Sequence, residues 1–252
     1  MHYFFLEGEP LVEGENRVLF ERDTAHAYRV LRLRAGDEVV VADGRGTARQ
    51  AVVIHSSPRE VTVLPGRKLP SGEPPLRITL FQALVKGDKM DLIIRQAVEL
   101  GVYRIVPFIS ARSIPQHADR QEEKKHLRWE SKIRAAAAQC RRAFLPLLEP
   151  VRSFEAVLPE IMGVKTFVPW EEERALPLGA LLKKPCPEGM AVFFLIGPEG
   201  GFEKAEVNAL FRAGAEKVHL GPRILRSETA AAAVITMVQA AWGDLSGEGE
   251  CD

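Results

Sequence analysis

Residues 195–201 read LIGPEGG and stand between an apolar run, AVFFLI at 191–196, and the helix-like stretch EKAEVNALFRAG. A glycine-rich turn that joins a strand to a helix is a usual place to hold a phosphate or a nucleotide. The familiar phosphate signatures are nevertheless absent. A Walker loop needs GxxxxGK[ST]; this loop has neither the lysine nor the hydroxyl, and Pro198 lacks the backbone N–H such a cradle would use. The dinucleotide pattern GxGxxG, with an acid about 20 residues further on, is missing too. Two readings remain: Gly197, Gly200 and Gly201 make a tight structural turn, or they frame a small-molecule site of another kind.

A second loop bears on that choice. KVHLGPRILRSETAAAAV, residues 217–234, again runs from a strand through a Gly-Pro turn into a helix. Ser227 is expected as the N-cap, and Glu228 would sit favourably at the positive end of the helix dipole. Capping leaves Arg226 unexplained, because a cation beside a helix N-terminus is electrostatically disfavoured. Such a charge suggests a task, for instance holding a phosphate or a carboxylate. Gly-Pro loops at consecutive strand ends on one edge of a parallel sheet would lie side by side, where open α/β sheets bind ligands. An apolar pocket rich in backbone groups suits an adenosyl moiety better than a triphosphate. The residues alone leave its occupant open.

Outward from these loops the chain divides at PGRKLPSGEPPL, residues 65–76, whose composition suits a linker. Before it, DEVVVADGRGTARQAVVI carries an Asp-Gly turn between strand-like stretches, and TAHAYRVLRL reads as a short helix from near Thr24. After it, strands are expected at 77–84, 104–109, 165–169, 191–196 and 217–221. The proline in RIVPFI (104–109) favours an edge or an end. Helices are expected at 88–101, where Met90, Ile93, Ile94, Ala97 and Leu100 share a face and Gly101 stops the run, and at 119–143 with Asp119 as N-cap. ETAAAAVITMVQAAW completes the set, with an apolar stripe of Ala230, Ala233, Val234, Met237, Ala241 and Trp242. Alternating strands and helices indicate an α/β fold with a mostly parallel sheet, beside a small β-rich N-terminal domain. The expected bounds are 1–70 and 77–246.

The 252 residues are 46% apolar and 27% charged, as in ordinary globular proteins. There is no signal-like N-terminus and no run of the ~20 apolar residues a membrane helix needs. Three dispersed cysteines (Cys140, Cys186, Cys251) and histidines without ligand spacing argue for a cytoplasmic protein with neither disulfides nor a structural metal. Net charge is zero, yet residues 77–152 carry 15 Lys/Arg against 8 Asp/Glu, while 153–252 carry 9 against 15. The basic middle is either ordinary variation or a polyanion-binding face.

LIGPEGGFEKAEV followed by LGPRILRSETAAAAVI closely resembles the 16S ribosomal RNA uridine-N3 methyltransferase family, the small-subunit methyltransferase E type of the SPOUT superfamily. FQALVKGDKMDLIIRQAVELGV, a later Ile-Pro pair with W…I…AAAQCRR, and VLRLRAGDEVVVADGRG extend the resemblance over nearly the whole chain. It implies a PUA-like β-barrel joined to an α/β domain with a trefoil knot. It also implies S-adenosyl-L-methionine in the knot loops, a homodimer, and N3-methyluridine at uridine 1498 of 16S rRNA in the small subunit. His2 stands where the family has Arg, and Ala138 and Arg142 stand where it has an acid and a glycine.

Carried onto this sequence, the cofactor would contact Leu195, Ile196, Gly197, Pro198, Glu199, Gly200 and Gly201 in one loop. In the next it would meet Leu220, Gly221, Leu225, Arg226, Ser227 and Thr229, with Trp170 and Glu171 closing the pocket, unless Trp170 is ordinary packing. Arg226 would stabilise charge on the uracil oxygens, and Glu199 or Glu228 would take the N3 proton. Lys124, Arg128 and Lys132 recur at i, i+4, i+8, with Arg141 and Arg142 nearby; His26, Arg29, Arg32 and Arg34 form a second basic patch. Both are expected to contact RNA phosphates. The competing readings are a methyltransferase for another rRNA or tRNA base, and a non-catalytic RNA-binding assembly factor.

Overall fold

The computed structural model describes residues 1–6, 11–19, 21–113, 119–186 and 188–245. The Ile-Pro pair at 114–115, Cys251 and the side chain of Asp119 lie outside what is described. The chain forms two compact units, Met1–Glu73 with Arg134–Leu145, and Pro74–Ile133 with Pro146–Asp252.

In the first unit the strands β1 (His2–Phe5), β2 (Arg17–Val18), β3 (Glu38–Ala42), β4 (Ala48–Ser56) and β5 (Val61–Lys68) order as β1-β3-β4-β5-β2. Only the β1–β3 pairing is parallel. The Asp-Gly turn between β3 and β4 is closed by the Asp43 carboxylate, which accepts the N–H groups of Arg45 (2.7 Å) and Thr47 (2.9 Å). The expected helix begins earlier than Thr24: α1 (Glu21–Ala25) continues into a π-helical turn, His26–Val30. Phe4, Leu33, Val39, Val41, Val53 and Val63 form this unit's core.

Residues 134–145 join the first unit through a buried polar knot of their own. The Arg142 guanidinium donates to Glu73 from Nε (3.0 Å) and Nη2 (2.7 Å), and Glu73 also accepts the Phe144 N–H (2.9 Å). The Tyr3 hydroxyl donates to the Arg142 carbonyl at 3.0 Å. Arg142 is 6% exposed, so it is committed to this contact and is withdrawn from the expected RNA-facing residues.

The second unit contains β6 (Arg77–Ala83), α2 (Lys89–Glu99), β7 (Arg104–Ile109), α3 (Asp119–Gln139), β8 (Leu147–Leu148), β9 (Arg152–Ser153) and α4 (Phe154–Ile161). It continues with β10 (Thr166–Pro169), α5 (Leu178–Leu181), β11 (Ala191–Ile196), α6 (Lys204–Arg212), β12 (Glu216–Val218) and α7 (Ser227–Trp242). Helix α3 ends at Gln139, four residues short of expectation, and its last turn belongs to the segment that clusters with the first unit. The sheet order is β12-β10-β11-β6-β7-β8, with β9 also on β7, and every pair is parallel. Strand β7 is therefore not an edge. Its outer side is covered by two short strands, β8 against Arg104–Ile105 and β9 against Phe108–Ile109, and Pro107 falls in the gap between them. A residue without an N–H is tolerated where the outer ladder changes partner.

Helix α2 buries Met90, Ile93, Ile94, Ala97 and Val98. Gly101 follows with φ +83°, the left-handed conformation of a helix stop. A Cβ there would come within 2.6 Å of Gln239 Nε2, which donates to Leu100 O at 3.1 Å, so α7 packs directly on this turn. The buried face of α7 is Ala231, Val234, Ile235, Val238 and Gln239. That corrects the expected stripe: Ala230, Ala233 and Met237 are half-buried and Ala241 is exposed, because the sheet meets the adjacent face of the helix. Among the described residues no helix is long and apolar enough to cross a membrane.

Phe81, Phe108, Phe167 and Phe194 are fully enclosed on the sheet. Phe108 stacks on Phe202 with centroids 6.2 Å apart and planes at 11°, and Phe202 ends the LIGPEGGF loop. Phe108→Ala is expected to cost about 3–5 kcal/mol of folding stability, read as a lowered urea midpoint with an unchanged m-value. A loss below about 1 kcal/mol would show that this stack does not anchor the sheet.

Candidate active site

Parallel strands send their outgoing loops to one end of the sheet, so β10, β11 and β12 deliver three loops to the same place. Strand β10 lies between β11 and β12, so the two Gly-Pro loops flank a third wall instead of following neighbouring strands. Together they enclose a cavity of about 580 Å³. Its first wall is Pro169, Trp170, Glu171 and Arg174 after β10. The second is Ile196 to Phe202 after β11. The third is His219 to Gly221 and Arg223 to Ser227, with Ala230 on α7.

Hydrogen bonds lock the walls together. Trp170 N–H donates to Val218 O (3.0 Å), and Leu178 N–H and His219 N–H complete an exchange with His219 O (3.1 Å) and Leu176 O (3.0 Å). The second wall turns on itself through Gly201 N–H to Pro198 O (3.0 Å). Gly201 has φ +69°, and a Cβ there would meet Glu171 Oε1 at 2.4 Å. That glycine lets the first and second walls touch. Lys217 lies 5.6 Å from the Trp170 ring centroid and 4.9 Å from that of Phe211, holding the indole from behind by cation–π attraction.

Most sequence-expected cofactor residues line this cavity: Trp170, Ile196 through Gly201, Leu220, Gly221, Leu225, Arg226 and Ser227. Leu195 does not; strand alternation turns it into the core beside Phe81 and Phe108. Thr229 and Glu228 also lie off the lining. Ser227 is not the N-cap. Arg226 holds that position with extended φ −67°, ψ 156°, and Ser227 is the first helical residue. The Ser227 hydroxyl instead donates to Gly197 O at 2.7 Å and accepts from Gln82 Nε2 at 3.0 Å. Lining residues that local pattern did not single out include Lys89, Arg174, Phe202, His219 and Arg223. His219 and Arg223 stood within the quoted Gly-Pro loop; Lys89 had no signal apart from being a cation at a helix start.

Lys89 is the first residue of α2, and its Nζ lies 3.1 Å from Glu199 Oε1 and 3.9 Å from Glu228 Oε2. Glu199 Oε1 also accepts the Lys86 N–H at 3.0 Å. Burial works against the charge on Glu199, but the backbone N–H groups of Glu199 and Lys86 and the Lys89 ammonium outweigh it. They hold the carboxyl below the usual carboxylate range. Arg174, Arg223 and Arg226 are exposed, and among the described residues their guanidinium groups make no ion pair or hydrogen bond.

The other basic residues divide by environment. His26, Arg29, Arg32 and Arg34 are exposed on the first unit, as is Arg141. On α3, Lys124 is exposed, but Arg128 bonds Asp88 Oδ1 (2.6 Å) and Asp91 Oδ2 (2.6 Å), and Lys132 Nζ is 3.5 Å from Asp91 Oδ2. Two of the three charges in that stripe therefore brace α3 against the start of α2.

A depressed folded-state pKa contributes stability that is complete above the unfolded carboxyl value, about 4.3, and is lost as pH falls through the folded value. Glu199→Gln is thus expected to lower the urea midpoint at pH 7, with the gap to the parent closing as pH drops below about 4. A gap independent of pH would contradict the ionic role.

Residues 72–239 match the RNA methyltransferase domain family, and residues 21–65 match the RNA methyltransferase PUA domain. The ribosomal RNA small subunit methyltransferase E of Mycobacterium bovis is 32% identical over 222 residues, 84% of this chain and 82% of that protein. Its Bacillus subtilis namesake is 29% identical over 91% of this chain and 93% of its own length. The crystal structure of the Neisseria gonorrhoeae methyltransferase of that name, bound to S-adenosyl methionine, matches with TM-score 0.87 and 33% identity over 97% of this chain and 99% of that one. A putative methyltransferase of Legionella pneumophila, in complex with the same cofactor, matches with TM-score 0.86 and 29% identity over 96% and 98%. Both the sheet with its loop-walled cavity and the smaller β unit are thus accounted for by one set of relatives, and the chain belongs to the ribosomal RNA small subunit methyltransferase E family.

Proposed function

We propose that this protein transfers a methyl group from S-adenosyl-L-methionine to N3 of uridine 1498 in 16S rRNA of the small ribosomal subunit. The observation that carries the reading is a cavity walled by backbone-rich loops, with three arginines on its lining that are unpaired among the described residues. The residues suit the cofactor. Gly197, Gly200, Gly201 and Gly221 line the cavity without side chains, so the main chain forms much of its wall, and main-chain N–H and C=O groups match the edge of adenine. Trp170 supplies an apolar side. When bound, the cofactor provides a methyl already activated by a sulfonium. The protein's contribution is therefore alignment and electrostatics.

Arg226 is the group for charge developing on the uracil oxygens. Arg226 lines the cavity and its guanidinium has no carboxylate partner among the described residues, so none has to be displaced before it acts. Glu199 already serves Lys86 and Lys89 and is a weak base for that reason. Glu228, at the longer distance of 3.9 Å from Lys89 Nζ, is the second carboxylate assigned as proton acceptor. Its Oε2 is enclosed and accepts no hydrogen bond among the described residues, and Glu228 lies off the lining, so in this reading it acts at one remove from the cavity. Arg174 and Arg223 add positive charge beside Arg226, which suits phosphates flanking an unstacked base. His26, Arg29, Arg32, Arg34, Lys124 and Arg141 complete the RNA-binding set in this reading. The trefoil knot and a homodimer in the cytoplasm belong to it as well; the small residues left half-buried on α7, Ala230 and Ala233, would let two copies approach closely.

Labelled S-adenosylmethionine supplied with undermethylated small subunits is expected to give labelled N3-methyluridine on nucleoside digestion. Label in another nucleoside, or in tRNA only, would overturn the assigned base. Cofactor binding without label in any RNA would favour an assembly factor. Arg226→Ala is expected to lower kcat by about 10²-fold; an unchanged kcat would remove Arg226 from the reacting end.

A further inference from the structure

Gln82 is fully enclosed at the C-terminal end of the central strand β6, paired with Ile196 of β11 on one side and Pro107 of β7 on the other. Its amide nitrogen donates to Ala83 O at 2.9 Å and to Ser227 Oγ at 3.0 Å. Its carbonyl oxygen is buried and accepts nothing among the described residues. An amide at such a site is a poor choice for stability, since leucine or methionine would fill the space without an orphaned acceptor. A side chain retained against that cost points to a task.

We infer that Gln82 is a positioning residue that sets the cofactor loop through Ser227. Each link has one allowed direction. Ala83 O can only accept, so the amide must turn its NH₂ toward it; the flipped amide would oppose two oxygens. The second N–H then points at Ser227 Oγ, which must accept. The single hydroxyl proton of Ser227 is left for Gly197 O, 2.7 Å away. Gly197 O is thereby held toward the start of α7, and the plane of the Gly197–Pro198 peptide is set with it. Pro198 O accepts Gly201 N–H at 3.0 Å, so the orientation carries on through the turn that walls the cavity. No atom of Gln82 needs to reach the cavity; Ser227 and Gly197 line it.

The inference rests on the cofactor reading above, and binding of S-adenosylhomocysteine by calorimetry tests both separately. Gln82→Leu and Ser227→Ala are each expected to weaken binding about tenfold, and Gln82→Leu is expected to keep kcat at saturating cofactor within about threefold of the parent. The double variant is expected to lose the same tenfold and not the product of the two, because one chain can be broken only once. Ser227→Thr, which keeps the hydroxyl, is expected to recover most of the affinity lost in Ser227→Ala. If Gln82→Leu does not fold, the Ser227 pair still decides: equal affinity of Ala and Thr variants overturns the chain. A folded Gln82→Leu protein with parental affinity and a lowered urea midpoint makes Gln82 a structural residue only and overturns the inference. A parent protein that binds no S-adenosylhomocysteine overturns the cofactor reading as well.

Discussion

Strands β12, β10 and β11 run parallel, and that alone obliges their outgoing loops to meet at one end of the sheet. Nothing in the cavity depends on a single strong contact. The walls are loops of few residues, each pinned at its root by a ladder, and the first two are also tied by main-chain hydrogen bonds within the loop. Fully buried aromatic rings hold the roots still, and the stack of Phe108 on Phe202 extends that rigidity into the loop itself. A site made of backbone must be held by the core, because it has few side chains of its own to brace it.

Charge placement completes the design. Lys89 and Arg226 both stand at helix N-termini, where the dipole disfavours cations. Lys89 is answered by Glu199 and Glu228. Arg226, with Arg174 and Arg223 near it, is not answered by any carboxylate among the described residues. The first arrangement docks the start of α2 onto the LIGPEGG loop. The second leaves positive potential facing the cavity, which is useful where a polyanion delivers the substrate. Arg142 shows the opposite fate for a basic residue: enclosed and matched by Glu73, it holds residues 134–145 to the first unit.

The parts of this structure that were legible in the sequence are those written in local pattern. Glycine and proline marked the two strand-end loops, helical spacing marked α2, and a misplaced cation marked Arg226. The ordering of β10 between β11 and β12 is a long-range property with no local signature. So is the meeting of Gln82 with Ser227, separated by 145 residues. Ser227 read as a cap because its neighbours have cap composition; its hydroxyl had a distant partner that outcompeted the local one. The ion pairs of the basic stripe on α3 had no local signature either, since Asp88 and Asp91, which meet Arg128 and Lys132, stand at the start of α2. Arg142 read as an RNA contact because its partner Glu73 precedes it by the whole β6–α3 stretch of the sequence.

The most direct measurement is a crystal structure of the protein with S-adenosylhomocysteine. The account predicts the ligand between the loops that follow β10, β11 and β12. Its adenine would be met by main-chain groups of the second and third walls, and Gly197 O would still accept from Ser227. A ligand bound elsewhere, or bound there with the Gly197 carbonyl turned into the cavity, would contradict it.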